Sequence, residues 1–536
     1  MDNSLNLIPR AASPEEVGVS SKAIECFLSE TEKRELDIHS FMIIRHGKVA
    51  AECYRAPFTA ERPHAMYSVS KTVTATAIGI AADEKLISLD DKVRDFFPDY
   101  TENICDTKLD SLTVRHLLTM TSGKDPSVFA DKSNGNWMEY YFSAPWYNEP
   151  GKEFRYINEN IYILSAIIKR ATGDSVRRFL KPRLFEKLGI DYPFWETDQY
   201  GIEAGGWGLY LKTEDLAKIM LTYSNKGVYN GKRIMSEEWV NYASGKIADT
   251  SSEFDKDAKA GYGCCLWRCA DVNAYRADGM FSQYGIVFED YDAVVVVTSA
   301  IAQQQICRDL LWEFFPNAFI EESCGNEESA KALYERLKNA KLDSLTRNSS
   351  SVYEKKTDGC EIHFRKKIFL NLIGFPMSML PLAVTYMTTD RAGNIDKMIL
   401  NYRKSDMLLT WTEGDETNTI PVGLDGKYRY GNMRLGQIDY KVCSNAVWLS
   451  EDRLFIQIRP LETIGRRKLD IKFFENGRVR MKPSSDPDVF TIAMNLAPGF
   501  EAMIGNKKIT DRIIPLFRFA PNLLEPTLKG RIIYKK

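Results

Sequence analysis

The sequence predicts a mixed α+β unit followed by an all-β, barrel-like unit. Three observations carry this. Helix-spaced and strand-like apolar patterns alternate up to about residue 325 of the 536. The composition then becomes charged and poor in large apolar residues over 321–351. Beyond that stretch strand follows strand, with turn signals between. Charge divides at the same place: the net −2 separates into −14 for residues 1–330 (36 basic, 50 acidic) and +12 for the rest (35 basic, 23 acidic). With 44% hydrophobic and 12% aromatic residues, the chain has core for more than one domain, which excludes disordered and collagen-like classes. The expected domains are 1–325 and 351–536, joined by a partly helical linker over 326–350.

Met1–Ser20 is polar and carries Pro9 and Pro14, so it does not read as a secretory signal. Ser40–Glu52 reads as a hairpin turning at His46-Gly47, and Thr72–Glu84 and Ile161–Ala171 have helical apolar spacing. Asp292–Ala300 is a β-branched run suited to a buried strand. In the second half, turn signals fall at Ala392-Gly393-Asn394, Glu413-Gly414-Asp415, Asp425-Gly426 and Asn476-Gly477. The longest apolar stretch, Ile368–Met387, contains Asn371, Pro376, Ser378 and Pro381 and reads as one or two strands, not a bilayer span.

These features also exclude partners. The Lys and Arg of the basic half are scattered among apolar residues, so no nucleic-acid or membrane surface is expected. The ten cysteines read as free thiols of a reducing, cytoplasmic compartment. Cys264, Cys265 and Cys269 cluster without a CxxC pair or a nearby histidine, and the five histidines have no ligand spacing, so no metal and no cofactor is expected.

Chemistry concentrates at Tyr67-Ser68-Val69-Ser70-Lys71-Thr72, which leads into the apolar helix Val73–Ala82. A serine and a lysine three residues apart share one helical face, so the lysine nitrogen reaches the hydroxyl. A serine hydroxyl is a weak nucleophile until a base takes its proton, and a desolvated lysine can be that base. The competing reading makes Ser68 an N-cap and Lys71 a surface residue. Downstream, Tyr156 and Asn158 lie two apart and share a side if the segment is extended. Ala277-Asp278-Gly279-Met280 precedes a strand over Ile286–Glu289, with a glycine where backbone approaches a ligand closely.

In this order and at these separations, the segments resemble the serine β-lactamase and penicillin-recognising superfamily, in particular its class C-like branch of esterases, D-amino-acid peptidases and 6-aminohexanoate-dimer hydrolases. Leu112–Gly123, Pro150-Gly151 with Phe154, Gly205–Lys218 and Asn225-Lys226-Gly227 extend the resemblance over roughly residues 12–320. It implies an antiparallel sheet flanked by helices plus an all-helical lobe. It also implies Ser68 as acylated nucleophile, Lys71 as base, Tyr156 as proton carrier and Asn158 as the group positioning Lys71 and substrate. The backbone N–H groups of Ser68 and Met280, the latter following Gly279, would form the oxyanion hole. The strands after 351 resemble the lipocalin-like β domains appended to some of these hydrolases, a surface for covering a site or for homo-oligomerisation.

One departure stands out. The family places Lys or His, often followed by Thr or Ser, where this chain has Ala277 and Asp278, so contacts for a substrate carboxylate are missing. Asp278 is expected either to repel a carboxylate or bind an amine, or to be a solvent-facing strand-end residue. Trp207, with Tyr140, Tyr141, Trp146 and Tyr147, could line an acyl pocket or pack beneath a loop. His116 reads as structural. The expectation is a cofactor-independent serine hydrolase of a small ester or amide. The alternatives are a catalytically silent binding protein on the same fold, and a β-lactamase or D-Ala peptidase.

Overall fold

A computed structural model describes residues 7–125, 136–253, 255–320, 327–342, 345, 350–365, 395–413, 416–435, 438–488, 491 and 526–534. The chain separates into two compact units, one ending at Lys341 and one beginning at Leu342. The first is built on a six-stranded antiparallel sheet. Its strands are β1 (Ile38–Arg45), β2 (Lys48–Tyr54), β3 (Trp267–Arg268), β4 (Ala274–Gly279), β5 (Gln283–Phe288) and β6 (Ala293–Ser299), in the order β2-β1-β6-β5-β4-β3. The run AVVVVTS of β6 is buried throughout because the strand is central and covered on both faces. On one face lie α1 (Ser21–Lys33) and α5 (Gln304–Ala318), whose Ile24, Phe27, Leu310, Leu311 and Phe315 share a core with Phe41, Ile43, Ile286 and Val295. On the other lies α4 (Thr213–Ser224).

The expected hairpin forms, with Arg45 opposite Lys48 and both turn residues left-handed: His46 has φ 51° and Gly47 φ 73°. The expected helices are α2 (Val69–Asp83) and α3 (Asn158–Thr172), which pack together in the helical part of this unit. Within 321–351, Glu327–Lys338 is a helix, and its Leu333 and Leu337 are buried in the first unit's core.

The second unit is all-β among its principal described elements. Ten strands from Glu361–Phe364 to Leu528–Ile533 form one sheet, and a Gly423↔Asn445 pairing joins Glu416–Gly423 to Ile438–Ser450 and closes it into a barrel. Alternation is clear on Asp406–Glu413, where Met407, Leu409, Trp411 and Glu413 are buried and their neighbours partly exposed. The signals at 425–426 and 476–477 lie between consecutive strands, while Gly414-Asp415 lies outside the described residues. Ala392-Gly393-Asn394 and the apolar stretch Ile368–Met387 lie outside the described residues. Among the described residues no helix is long and apolar enough to cross a membrane, and no cluster of His, Cys, Asp and Glu could hold a metal ion.

Candidate active site

Ser68 stands at the N-cap of α2 but makes no side-chain capping bond, and Lys71 is only 1% exposed. The cap-and-surface reading of this pair therefore fails. Instead, Lys71 Nζ lies 2.8 Å from Ser68 Oγ, 2.8 Å from Asn158 Oδ1 and 2.7 Å from the Gly206 carbonyl oxygen. Asn158 and Gly206 offer only acceptors here. A neutral amine gives them its two N–H groups, which directs its lone pair at Ser68. Burial pushes the Lys71 amine down to about 7, against the opposing pull of Cys265, Glu159 and Asp278.

Tyr156 does not lie on a strand with Asn158. Asn158 opens α3, and Tyr156 sits two residues before it, ahead of the extended Ile157. Both still converge on Lys71, whose Nζ is 4.8 Å from the centre of the Tyr156 ring. The Tyr156 hydroxyl bonds the Ser68 side chain, and burial raises its pKa well above the usual phenol value, so it is protonated at neutral pH. Its ring stacks on Trp267 with centroids 5.7 Å apart, and Trp267 meets Tyr262 edge-on at 4.7 Å.

The third segment closes the cleft from the sheet. A side chain at Gly279 would put its Cβ 2.4 Å from the Met66 carbonyl oxygen, so only glycine lets the end of β4 run against the backbone leading into Ser68. Tyr67, just before Ser68, and Phe281, just after Met280, are both left-handed (φ 47° and 64°), and their rings pack edge-to-face at 5.5 Å. The N–H groups of Ser68 and Met280 have no backbone acceptor among the described residues.

Asp278 is neither solvent-facing nor free to take a ligand amine. Its Oδ2 is 2.8 Å from Arg276 Nε and 3.5 Å from Arg308 Nη1, and its Oδ1 accepts from Gln304 Nε2 at 3.1 Å. Arg308 is also paired with Asp255 and, at 3.5 Å, with Asp257. Trp207 is buried, with its ring 5.7 Å from Trp137 and its carbonyl accepting from Trp195 Nε1. The aromatics before Tyr156 are engaged elsewhere: Tyr141 with Asn160, Trp146 with Asp106, and Tyr147 with the Glu153 carbonyl. His116 Nδ1 accepts from the Thr113 N–H within a helix cap.

Sequence reasoning missed Trp267, Tyr262, Arg276, Gln304 and Arg308. Arg276 carried a signal, since it stands two residues before Asp278 and shares its face of the strand. Arg308 did too, as the lone cation in the otherwise apolar face of α5. Gln304 carried none.

The Beta-lactamase family profile matches residues 33–307. A 6-aminohexanoate-dimer hydrolase of Paenarthrobacter ureafaciens is 28% identical over 251 residues, 43% of this chain and 63% of that protein. A beta-lactamase of Pseudomonas fluorescens is 26% identical over 164 residues, 29% of this chain and 45% of its own length. The chain thus spans less than two thirds of either relative. Among solved structures, a family VIII carboxylesterase matches 58% of this chain and 97% of its own at 16% identity and TM-score 0.44. A penicillin binding protein from Bacillus halodurans matches 54% and 98% at 16% identity and TM-score 0.42.

Proposed function

The chain belongs to the Beta-lactamase family, and on that premise we propose that it is a serine hydrolase cleaving an ester or amide through an acyl-Ser68 intermediate. The observation that carries this reading is the environment of Lys71: a buried amine held at about 7, with two fixed acceptors and a hydroxyl at 2.8 Å. Such an amine is half unprotonated near neutrality and faces the proton it would remove.

In the first half-reaction Ser68 Oγ bonds to the acyl carbon while its proton passes to Lys71. The carbonyl oxygen, now an oxyanion, accepts from the N–H groups of Ser68 and Met280. Collapse breaks the bond to the leaving group, which takes a proton from the Tyr156 hydroxyl, and Lys71 returns its proton to Tyr156. Water repeats the sequence on the ester, Tyr156 and Lys71 taking its proton, and releases the acid and the free hydroxyl of Ser68. Tyr156 fits this relay because its raised pKa keeps the proton on oxygen between turnovers.

Substrate chemistry follows from Asp278. With its carboxylate held by Arg276 and Arg308, that point of the cleft offers neither a free cation for a carboxylate nor a free anion for an amine. An acyl donor uncharged at that position suits it best. The names of the relatives, a 6-aminohexanoate-dimer hydrolase and a beta-lactamase, are compatible with hydrolysis by acyl transfer. The test is labelling by a fluorophosphonate probe, read by intact mass. Wild-type protein gains one adduct and Ser68→Ala gains none; an adduct on Ser68→Ala overturns the assignment.

A further inference from the structure

We infer that Gln304 is a positioning residue whose side-chain amide locks the Gly279–Met280 peptide so that the Met280 N–H faces the carbonyl oxygen under attack at Ser68. This rests on the acyl-Ser68 reading and adds to it a residue that acts only through the backbone. A peptide unit is planar, and in its trans form the C=O and N–H point in opposite directions. Whatever fixes the Gly279 carbonyl therefore aims the Met280 N–H.

Gln304, the first residue of α5, donates through Nε2 to the Gly279 carbonyl oxygen at 3.2 Å and to Asp278 Oδ1 at 3.1 Å. One amide group has two N–H bonds and serves both acceptors. Asp278 is in turn held by Arg276 and Arg308, so the carbonyl is referenced to a fixed salt-bridge cluster. The other side of the Met280 residue is pinned as well. The two N–H groups of Gln283 Nε2 are shared among the carbonyls of Met280 (3.1 Å), Phe281 (3.1 Å) and Ser299 (2.8 Å), and Ser299 Oγ donates to that of Phe281 at 2.6 Å.

The turn needs such anchors. Phe281 and Ser282 are successive non-glycine residues at φ 64°, a conformation costing about 1–2 kcal/mol per residue, which the surrounding contacts must outweigh. Gln283, in β5 of the hairpin, and Ser299, at the end of the neighbouring β6, are fully buried in the sheet itself. Gln304 is half-buried on a neighbouring helix, so its amide can be removed while the hairpin's own anchors stay in place.

The test compares Gln304→Met, which keeps the length and loses both donors, with Gln304→Glu, which sets an acceptor against the Gly279 carbonyl and Asp278. The readouts are hydrolysis of p-nitrophenyl acetate, inhibition by phenylboronic acid, whose tetrahedral adduct on Ser68 places an oxygen in the oxyanion position, and thermal unfolding. Removing an oxyanion donor outright costs about 10²–10³-fold, so Gln304→Met should lower kcat about 10–100-fold. KM, the pH midpoint near 7 and the Tm should hold, phenylboronate should weaken by the same factor as kcat, and Gln304→Glu should fall further. Wild-type kinetics in Gln304→Met, with Ser68→Ala inactive, overturns the positioning role while leaving the acyl-Ser68 reading intact. So does a loss that tracks a fall in Tm. Hydrolysis by Ser68→Ala at the wild-type rate overturns both.

Discussion

Lys71, on the helical side of the site, and Arg276, on its sheet side, are buried to the same degree, each 1% exposed, yet their protons behave in opposite ways. Burial pushes the Lys71 amine down to about 7 because its hydrogen-bond partners are a hydroxyl, an amide and a carbonyl, none of them charged. Burial also pulls on Arg276, but Asp278, Cys269 and Asp257 outweigh it and hold the guanidinium above its ordinary value. A buried cation among neutral acceptors becomes a switch, and one among carboxylates becomes a fixed post. The helical wall suits proton transfer, and the sheet wall suits holding backbone in place.

The largest expected effect breaks the switch. Lys71→Met should slow fluorophosphonate labelling of Ser68 by about 10³-fold, the loss expected of a general base, with the fold retained. Breaking the post should cost stability instead. Arg308→Met leaves Asp255 and Asp257 without their guanidinium and should destabilise the first unit by about 3 kcal/mol in urea unfolding.

Glu196 sharpens the contrast from the carboxylate side. It is 4% exposed and burial pushes it up to about 8, with the Tyr210 hydroxyl beside it pulling the other way. Its folded-state pKa lies above the unfolded value of 4.5, so the stability it contributes is full below that pH and lost as pH rises through 8. Glu196→Gln should therefore exceed wild type by roughly 2 kcal/mol at pH 9, measured by denaturant unfolding.

The smallest effect links the two walls. In wild type the labelling rate should rise with pH through a midpoint near 7 and then level, because only the neutral Lys71 amine accepts the proton. Asp278 favours the charged form of Lys71, so Asp278→Asn should move that midpoint to lower pH by less than about one unit. A midpoint that moves upward would mean that Asp278 does not act on Lys71 as a charge.

The helical wall was legible because its logic is local. Ser68 and Lys71 are one helical turn apart, and that spacing alone brings their side chains together once α2 forms. The hairpin turn at His46-Gly47 and the buried strand β6 were legible for the same reason, since turn geometry and β-branched runs are properties of adjacent residues. Asp278 shows where this stops. Its nearer partner, Arg276, is two residues away on the same strand, but its second, Arg308, comes from a helix 30 residues later and also pairs with Asp255 and Asp257 from a loop more than 20 residues earlier. Trp207 is similar: its sequence context left a pocket wall and packing beneath a loop both open, and in the fold its ring lies against Trp137 while its carbonyl accepts from Trp195.

By itself, the sequence determined the α+β and all-β character of the two units, the Ser68–Lys71 pairing, and the approach of a glycine to it, because helical period, strand alternation and the lack of a Cβ act over a few residues. Only the tertiary structure decided which charges face which. That choice set Lys71 among neutral acceptors and Asp278 among arginines. An electrostatic environment sums over everything within several ångströms, and chain folding, not chain order, fills that volume.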